Sequence, residues 1–387
     1  MPQNGNRIYL DYAATTPLCA EAGEAMREVL DHVPGNASAV FQTGREARQS
    51  LERAREQVAD ALRAWPDEVY FTSGGTESDN WALKGIAAQY IGQPCHIITS
   101  MIEHPAILNT CRFLEKLGVL VTYLQPDRDG RIAPESVRAA LRPETRLVSV
   151  MWANNEIGTI EPIGEIGRIA REAQVPFHVD AVQAAGTLAI DLREMPVDLL
   201  SVSAHKLYGP KGVGALYLRR GIQLQPLIHG GEQERGLRAS TENVAGAAGF
   251  GAAFERALRD RDEECRRLSA LRDLLYRALA EGLPGIRLNG AVSERLPGNL
   301  HVTIPGVTDR SLIPLLDLNG VEASAGSACT AGSYIDSHVL QAIGVPGSEL
   351  HGALRLTLGR YTTESEIPEA ARRIIETVRY LRGNQHV

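Results

Sequence analysis

The sequence lacks the features that mark membrane, secreted and nucleic-acid-binding proteins. Its longest apolar stretches fall far short of the ~20 residues that a membrane-spanning helix needs. Residues 1–7 do not have the charged and then apolar layout of a signal peptide, so a cytoplasmic protein is expected. The formal net charge is −7 and no basic run stands out, which argues against nucleic acid as a partner.

Cysteine is scarce and widely spaced. The five cysteines are Cys19, Cys95, Cys111, Cys265 and Cys329. They form no Cys-x-x-Cys pair, so neither a zinc site nor a disulfide scaffold is indicated, and no bound metal is expected. Four of them are most simply explained as small core or surface residues. Cys329 stands apart, since it lies in a run of very small residues.

From about residue 69 to residue 218, short apolar runs alternate with longer amphipathic ones. The predicted strands are Val69–Thr72, His96–Ser100, Val119–Leu124, Arg146–Trp152, Phe177–Asp180, Leu199–Ser203 and Gly214–Leu218. Helical patterns such as 105–117 and 162–173 lie between them. This alternation is typical of crossover units, so we predict an α/β protein with a large domain built on a mostly parallel seven-stranded sheet.

The last third of the chain has a different pattern. Helix-forming and charged residues from about 243 to 282 predict one long connecting helix. New strands follow at 299–304 and 353–358, with helices at 309–319 and 364–381. We interpret this part as a smaller α+β domain, and we place the large domain at 15–258 and the small one at 1–14 and 259–387.

Reactive side chains follow the predicted strands closely. The sites of open parallel sheets gather at the carboxyl ends of strands, and the residues at those positions are Thr76, His104, Asn155, Asp180, Gln183 and Lys206. Lys206 and Asp180 are the two groups that a pyridoxal phosphate enzyme needs most. The lysine amine binds the cofactor aldehyde, and the carboxylate keeps the pyridine nitrogen protonated so that the ring can accept electrons. The alternative is a surface lysine with an unrelated aspartate.

Three further segments suit the same cofactor. Gly74-Gly75-Thr76 opens a helical stretch, where backbone N–H groups and a hydroxyl bind phosphate; the alternative is a helix N-cap at Thr76 without a ligand. His104 is placed to stack on an aromatic ring and to exchange protons, or it is a satisfied structural histidine. Asn155 suits a cofactor hydroxyl or a substrate carboxylate, although adjacent asparagines also form turns.

Two residues of the last third complete the set. The small residues around Cys329 permit close approach and movement, so its sulfur could reach a substrate; the alternative is a buried cysteine in a tight turn. Arg355 interrupts an apolar strand, and its guanidinium suits fork-like binding of a carboxylate or an ordinary ion pair.

Taken together and in order, these motifs resemble the cysteine desulfurases, a branch of the class V aminotransferases among the fold type I PLP-dependent transferases. The resemblance runs nearly end to end, and the segments that carry it are 9–17, 74–77, 103–105, 154–158, 179–183, 203–206, 241–243 and 326–330. The variant with Ala204 before the His205-Lys206 pair, together with the run 151–156, looks like the nitrogen-fixation type of desulfurase.

The resemblance implies a role for each matching position. Lys206 would hold pyridoxal 5'-phosphate and move the Cα proton, and Cys329 would be the nucleophile that keeps a persulfide. Asp180 would pair with the ring nitrogen, Gln183 with the ring hydroxyl, and His104 would stack on the ring and assist proton transfer. The phosphate ligands would be Gly75, Thr76, Ser203, His205 and, from the neighbouring subunit of a homodimer, Thr241. Asn155 and Arg355 would hold the carboxylate of L-cysteine.

Two positions depart from the family pattern. Phe41 stands where a histidine is usual, and Ser240 stands where a glycine usually precedes Thr-Glu-Asn; if that backbone needs a positive φ, serine would strain it. The resemblance implies a desulfurase that supplies iron–sulfur scaffold or other acceptor proteins. A selenocysteine lyase or another aminotransferase-type enzyme is the alternative, and a non-catalytic scaffold protein is a further one.

Overall fold

The structure, a computed structural model, describes residues 7–326 and 336–383. Its helices are α1 (Ala20–His32), α2 (Gln42–Leu62), α3 (Gly75–Ala87), α4 (Pro105–Glu115), α5 (Pro134–Ala140), α6 (Ile163–Glu172), α7 (Val244–Arg259), α8 (Arg261–Gly282), α9 (Asp309–Leu318), α10 (His338–Ala342), α11 (Gly347–Leu350) and α12 (Glu366–Gly383). Within these residues no helix has both the length and the apolar character needed to cross a membrane.

The strands form three sheets. They are β1 (Ile8–Tyr9), β2 (Val69–Thr72), β3 (His96–Ser100), β4 (Leu120–Leu124), β5 (Thr145–Ser149), β6 (Phe177–Asp180), β7 (Leu199–Ser203), β8 (Gly214–Leu218), β9 (Arg287–Leu288), β10 (Asn299–Thr303), β11 (Val321–Glu322) and β12 (Ala353–Thr357). The large sheet has the order β2-β8-β7-β6-β5-β3-β4. Only β8 runs antiparallel to its neighbours, so the predicted mostly parallel seven-stranded sheet is confirmed.

The central strands β6 and β7 are buried throughout because both faces of the sheet are covered. In β7, Leu199 packs into a cluster that includes residues of α3 and α4, whereas Leu200 packs into the cluster of α2, α6 and α7 on the other face. Leu147 and Val148 of β5 divide in the same way. A strand with apolar side chains on both faces is stable between two helical layers. Because the strands β3 to β7 are parallel, their carboxyl ends lie at the same edge of the sheet.

A separate apolar cluster joins the last third of the chain to its beginning. Strand β10 pairs antiparallel with β9 and β12, and the leucines of α8 pack against this sheet. Ile8 and Leu10 belong to the same cluster, and β1 pairs in parallel with β11. The domain limits at residues 14/15 and 258/259 stay a prediction.

The single long helix predicted for 243–282 is wrong, because the chain breaks at Asp260. This residue has φ −118° and ψ 15°, and it separates α7 from α8. The carboxylate of Asp260 accepts a 2.5 Å hydrogen bond from Arg256 in the last turn of α7. Three acidic residues then occupy the first turn of α8, where the helix dipole favours negative charge. These local charges favour the start of helix α8 at this point.

Candidate active site

Lys206 lies at the end of a short turn that follows β7, as the sequence predicts. Its Nζ donates hydrogen bonds to the carbonyl oxygens of Ala13 (2.5 Å) and Ala14 (2.8 Å). Gln183 Nε2 donates to the same Ala13 oxygen at 3.0 Å. The structure thus brings Lys206 and Gln183 together around the N-terminal segment. Backbone carbonyls have no sequence signature of their own, so this contact is a new feature of the site.

Asp180 is the last residue of β6, next to β7 in the sheet, where it aligns with Ser201. Its side chain is buried, and one carboxylate oxygen accepts a 2.9 Å hydrogen bond from the Val182 N–H. Burial raises the pKa of Asp180, while the Val182 N–H and the positive charge of Lys206 act in the opposite direction. These two groups stabilise the ionised form, which is the form needed beside a protonated ring nitrogen.

A second buried carboxylate, that of Asp79 in α3, lies close to Asp180 and escaped the sequence analysis. Burial, and then the neighbouring charge of Asp180, raise the pKa of Asp79 well above its usual range. Within residues 7–326 and 336–383 its Oδ1 has no hydrogen-bond partner, and His178 Nε2 lies 3.7 Å away. Two buried carboxylates without a cation between them cannot both ionise. Because Asp180 has the better stabilising contacts, we assign the proton to Asp79.

The glycine pair before α3 is built for close approach. Gly74 is the N-cap of α3, with φ 149° and no side-chain cap, so the N-cap at Thr76 considered above is wrong. A Cβ on Gly214 would lie 2.7 Å from Gly74 Cα, and one on Gly75 would lie 2.5 Å from Val182 Cγ2. Thr76 itself is exposed in the first turn. An uncapped helix start leaves N–H groups that bind an anion.

Two further predicted phosphate ligands lie at the end of β7. A Cβ on Gly74 would lie 3.7 Å from Ser203 Oγ, so this hydroxyl faces the glycine turn. His205 Nδ1 forms a 3.1 Å hydrogen bond with Thr15 Oγ1, and burial lowers the pKa of His205 to about 4, followed by the charges of Lys206 and Lys211. His205 is therefore neutral near pH 7, and it would act as a hydrogen-bonding group instead of a cation.

His104 has a structural task as well as a place in the site. It is the N-cap of α4, and its Nδ1 accepts a 3.1 Å hydrogen bond from the Ala106 N–H. Burial, and then the charges of Lys206 and His338, lower the pKa of His104 to about 4. The ring is therefore neutral, with its hydrogen on Nε2. Such a ring suits stacking on an aromatic cofactor, and its Nε2 is a hydrogen-bond donor.

Arg355 and Asn155 meet in the structure. Arg355 is fully buried in β12, and its Nη1 donates to the Asn155 carbonyl oxygen at 2.9 Å. Its Nη2 donates to Asp11 Oδ1 at 2.8 Å, which is the ion pair considered as the alternative. Asp11 was not predicted as a partner, because 344 residues separate the two positions. A substrate carboxylate at Arg355 would compete with Asp11 or share the guanidinium with it.

The other predicted positions are at the surface or beyond the described residues. Thr241 is exposed in the single chain, and Cys329 lies outside the residues that the structure describes. Ser240 has φ 99°, so the positive φ considered for this position is confirmed. Phe41 is the N-cap of α2, is mostly exposed, and makes no capping hydrogen bond.

The donor set fits pyridoxal 5'-phosphate. A lysine amine and a buried carboxylate follow adjacent strands, and Lys206 acts on the pKa values of Asp180, His104 and His205. The uncapped start of α3 and the Ser203 hydroxyl form a turn that a phosphate can enter. The lysine amine can bind the aldehyde of this cofactor, the carboxylate can bind its ring nitrogen, and the turn at the start of α3 can bind its phosphate.

Comparison with known proteins agrees with this chemistry. The sequence model of the family Aminotransferase class-V matches residues 8–369. A relative from Dictyoglomus turgidum, named cysteine desulfurase IscS, is 51% identical over 96% of this chain and 95% of its own length. A second with that name, from Methanosarcina thermophila, is 48% identical over 97% of this chain and 93% of its own.

A solved structure titled NifS-like protein superposes with a TM-score of 0.91 at 37% identity, covering 97% of this chain and all of the other. The fold and the site thus define a pyridoxal phosphate enzyme of fold type I. The chain belongs to the class-V aminotransferase family and, within it, to the cysteine desulfurases.

Proposed function

We propose that this protein removes sulfur from L-cysteine, releases L-alanine and holds the sulfur as a persulfide on Cys329. The observation that carries the proposal is the placement of the Lys206 amine and the Asp180 carboxylate at the ends of adjacent strands, beside an uncapped helix start. The names of the relatives support the choice of substrate. When bound, pyridoxal 5'-phosphate supplies the electron sink that makes the Cα proton of the substrate acidic.

Each residue of the site has a limited task in this reaction. Lys206 takes the Cα proton, Asp180 keeps the negative charge opposite the ring nitrogen, and Gln183 bonds the ring hydroxyl. His104 stacks on the ring and donates through Nε2. Gly75, Thr76, Ser203 and His205 bind the phosphate, and Asn155 and Arg355 orient the substrate carboxylate.

The sulfur step belongs to Cys329. Its thiolate attacks the substrate sulfur, so that a sulfur–sulfur bond forms while the bond from sulfur to Cβ breaks and its electron pair stays on the carbon skeleton. The skeleton takes up a proton at Cβ, regains a proton at Cα from Lys206 and leaves as alanine. One cysteine and one thiol thus become one alanine and one persulfide, and no outside oxidant is needed. An iron–sulfur scaffold or another sulfur-acceptor protein would then take the sulfur.

The decisive experiment supplies L-cysteine to the holoprotein and measures alanine and sulfide together. Lys206→Ala is expected to abolish both products. Cys329→Ala is expected to abolish persulfide formation, and the half-buried Cys265→Ala is the matched thiol control, with unchanged turnover. Equal turnover in Cys329→Ala would contradict the persulfide step. A strong preference for selenocysteine over cysteine would favour the lyase alternative.

The proposed homodimer gives a role to Thr241, which is exposed in the single chain. We propose that it binds the phosphate in the site of the second subunit. Mixing Lys206→Ala with Thr241→Ala subunits would then place one intact site in each mixed dimer, and turnover should exceed the sum of the two separate variants. No gain on mixing would contradict shared sites. The acceptor proteins and the cytoplasmic location stay predictions.

A further inference from the structure

The side chain of Glu156 lies beside the residues on either side of the segment that carries Cys329. This residue follows Asn155 in the loop after β5, and only 2% of its surface is exposed. Ser337 Oγ donates a 2.5 Å hydrogen bond to Glu156 Oε2. Gly326 leaves little free space beside that same oxygen, because a Cβ placed on it would lie 3.1 Å away. One buried carboxylate oxygen therefore bonds a residue just after the segment and lies next to the last described residue before it.

The downstream side is tied at three consecutive residues. Asp336 Oδ1 lies 3.4 Å from His351 Nδ1, Ser337 is bound to Glu156, and His338 Nε2 donates to the carbonyl oxygen of Glu103 at 2.9 Å. Glu103 directly precedes His104. The start of α10 is thereby attached to the two strand-end loops that carry His104 and Asn155.

The upstream side is tied to the strand that carries Arg355. Ser324 and Arg355 exchange backbone hydrogen bonds of 3.3 and 2.6 Å. His301 Nε2 donates to the carbonyl oxygen of Ala325 at 3.2 Å, and burial keeps this imidazole neutral by lowering its pKa to about 3. Both ends are thus fixed to elements of the site, and Glu156 is bonded to the downstream end and lies beside the upstream one.

The chemistry of Glu156 suits a rigid anchor. The Ser337 hydroxyl donates to a carboxylate oxygen, and hydrogen bonds of this kind are about twice as strong as those between neutral groups. The backbone of Glu156 is itself fixed, because Asn154 Oδ1 accepts from the N–H groups of Glu156 and Ile157 at 2.9 and 3.0 Å. Glu156 is not needed for any step assigned above to the cofactor or to the substrate carboxylate.

We propose that Glu156 is a positioning residue for the sulfur step, holding Ser337, on the downstream side of the segment, against the loop that carries Asn155. This inference rests on the proposed function. It predicts that the bond between Glu156 and Ser337 matters for transfer to Cys329 and not for the chemistry at Cα. The substrate carboxylate and the two ends of the nucleophile segment would then share one loop as their support.

The test replaces the donor, Ser337, and the acceptor, Glu156, of this hydrogen bond in the holoenzyme. Ser337 also caps α10 by accepting from the Leu340 N–H at 3.1 Å, so alanine would remove two contacts at once. Ser337→Asp keeps the cap but places a carboxylate against Glu156. Ser337→Thr keeps both contacts and is the matched control. Glu156→Gln combined with Ser337→Asp restores a hydrogen bond with the roles reversed, since the new amide donates to the new carboxylate.

Three measurements separate the outcomes. Sulfide release from L-cysteine should fall about tenfold or more in Ser337→Asp, which is the scale of a lost charge-assisted hydrogen bond. It should recover in the double variant and in Ser337→Thr. Exchange of the Cα hydrogen of L-alanine in heavy water, which needs no thiol, should stay within about twofold of wild type. Backbone hydrogen exchange in residues 338–343 should rise in Ser337→Asp and return in the double variant.

Each of three results would overturn the proposal. Sulfide release could be unchanged in Ser337→Asp, the rate of Cα hydrogen exchange could fall as much as sulfide release does, or sulfide release could fail to recover in the double variant. The hydrogen-exchange measurement does not depend on turnover. If the wild type gives neither alanine nor sulfide, the proposed function is wrong. If backbone hydrogen exchange in residues 338–343 is unchanged in Ser337→Asp, the bond from Ser337 to Glu156 does not hold this part of the chain in place.

Discussion

Ser240 is a serine in a backbone conformation that favours glycine, and Ser240→Gly should stabilise the protein. At φ 99° the Cβ crowds the backbone, and a residue held in such a sparsely populated region costs about 1–3 kcal/mol. Glycine gains conformational freedom in the unfolded chain, which takes back roughly 0.4–1 kcal/mol. The side chain is exposed, so little packing is lost. We expect a net gain of about 1 kcal/mol in the free energy of unfolding.

Denaturant titration of Ser240→Gly beside the wild type measures this difference directly, with the slope of the transition as a check that the unfolded state is unchanged. Ser240→Ala is the matched control, since alanine keeps the Cβ and therefore the strain. The expected order of stability is glycine above alanine and serine, with the last two nearly equal. An equal gain in both variants, or a loss in the glycine variant, would refute the strain argument. In either variant the N–H of residue 240 can still donate to Gln233 Oε1, at 3.3 Å in the structure.

Two other predictions concern buried charge. Asp79→Asn should stabilise the protein by a margin that grows as the pH rises above 3.8, the ordinary pKa of aspartate. Above that pH the unfolded chain releases the Asp79 proton while the folded protein keeps it, so the wild type loses stability with rising pH, whereas asparagine does not titrate. A margin that shrinks with pH in denaturant titrations would contradict the assignment of the proton to Asp79. Arg55→Met should cost about 3–5 kcal/mol, because it leaves the carboxylate of Glu234 buried without the bidentate partner that now lies at 2.7 and 2.8 Å. Adding Glu234→Gln should recover part of that loss, and equal stability of the single and double variants would show that the charge was not the cause.

Local pattern was sufficient to predict the strands of the large sheet and the residues at their ends. Strands such as Phe177–Asp180 and Leu199–Ser203 are short, mainly apolar runs that end at a polar residue, so the pattern marks both the element and its boundary. Lys206 and Asp180 could be named because the carboxyl ends of parallel strands meet at one edge. The break at Asp260 was missed because helix propensity continues through that residue.

Contacts between distant parts of the chain could not be predicted from the local sequence pattern. Asp79 is one of the two acids of α3, and only the packing of α3 against β6 and β7 brings it close to Asp180. The pairing of Arg355 with Asp11 joins residues 344 positions apart, and the contact of Lys206 with Ala13 joins residues 193 positions apart. Glu156 could be noticed as part of a motif, but its bond to Ser337 follows from the fold alone.

The pairing of β1 with β11 has a consequence for biosynthesis. Ile8 aligns with Val321, so strand β1 cannot pair until the ribosome has made about 300 further residues. At synthesis rates of ~5–20 residues per second, that delay is on the order of 15–60 s on the ribosome. During this interval the apolar cluster of Ile8 and Leu10 is incomplete, whereas the seven-stranded sheet has all its strands once residue 218 is made. The N-terminal carbonyls that contact Lys206 would thus be set in place late, after the lysine itself.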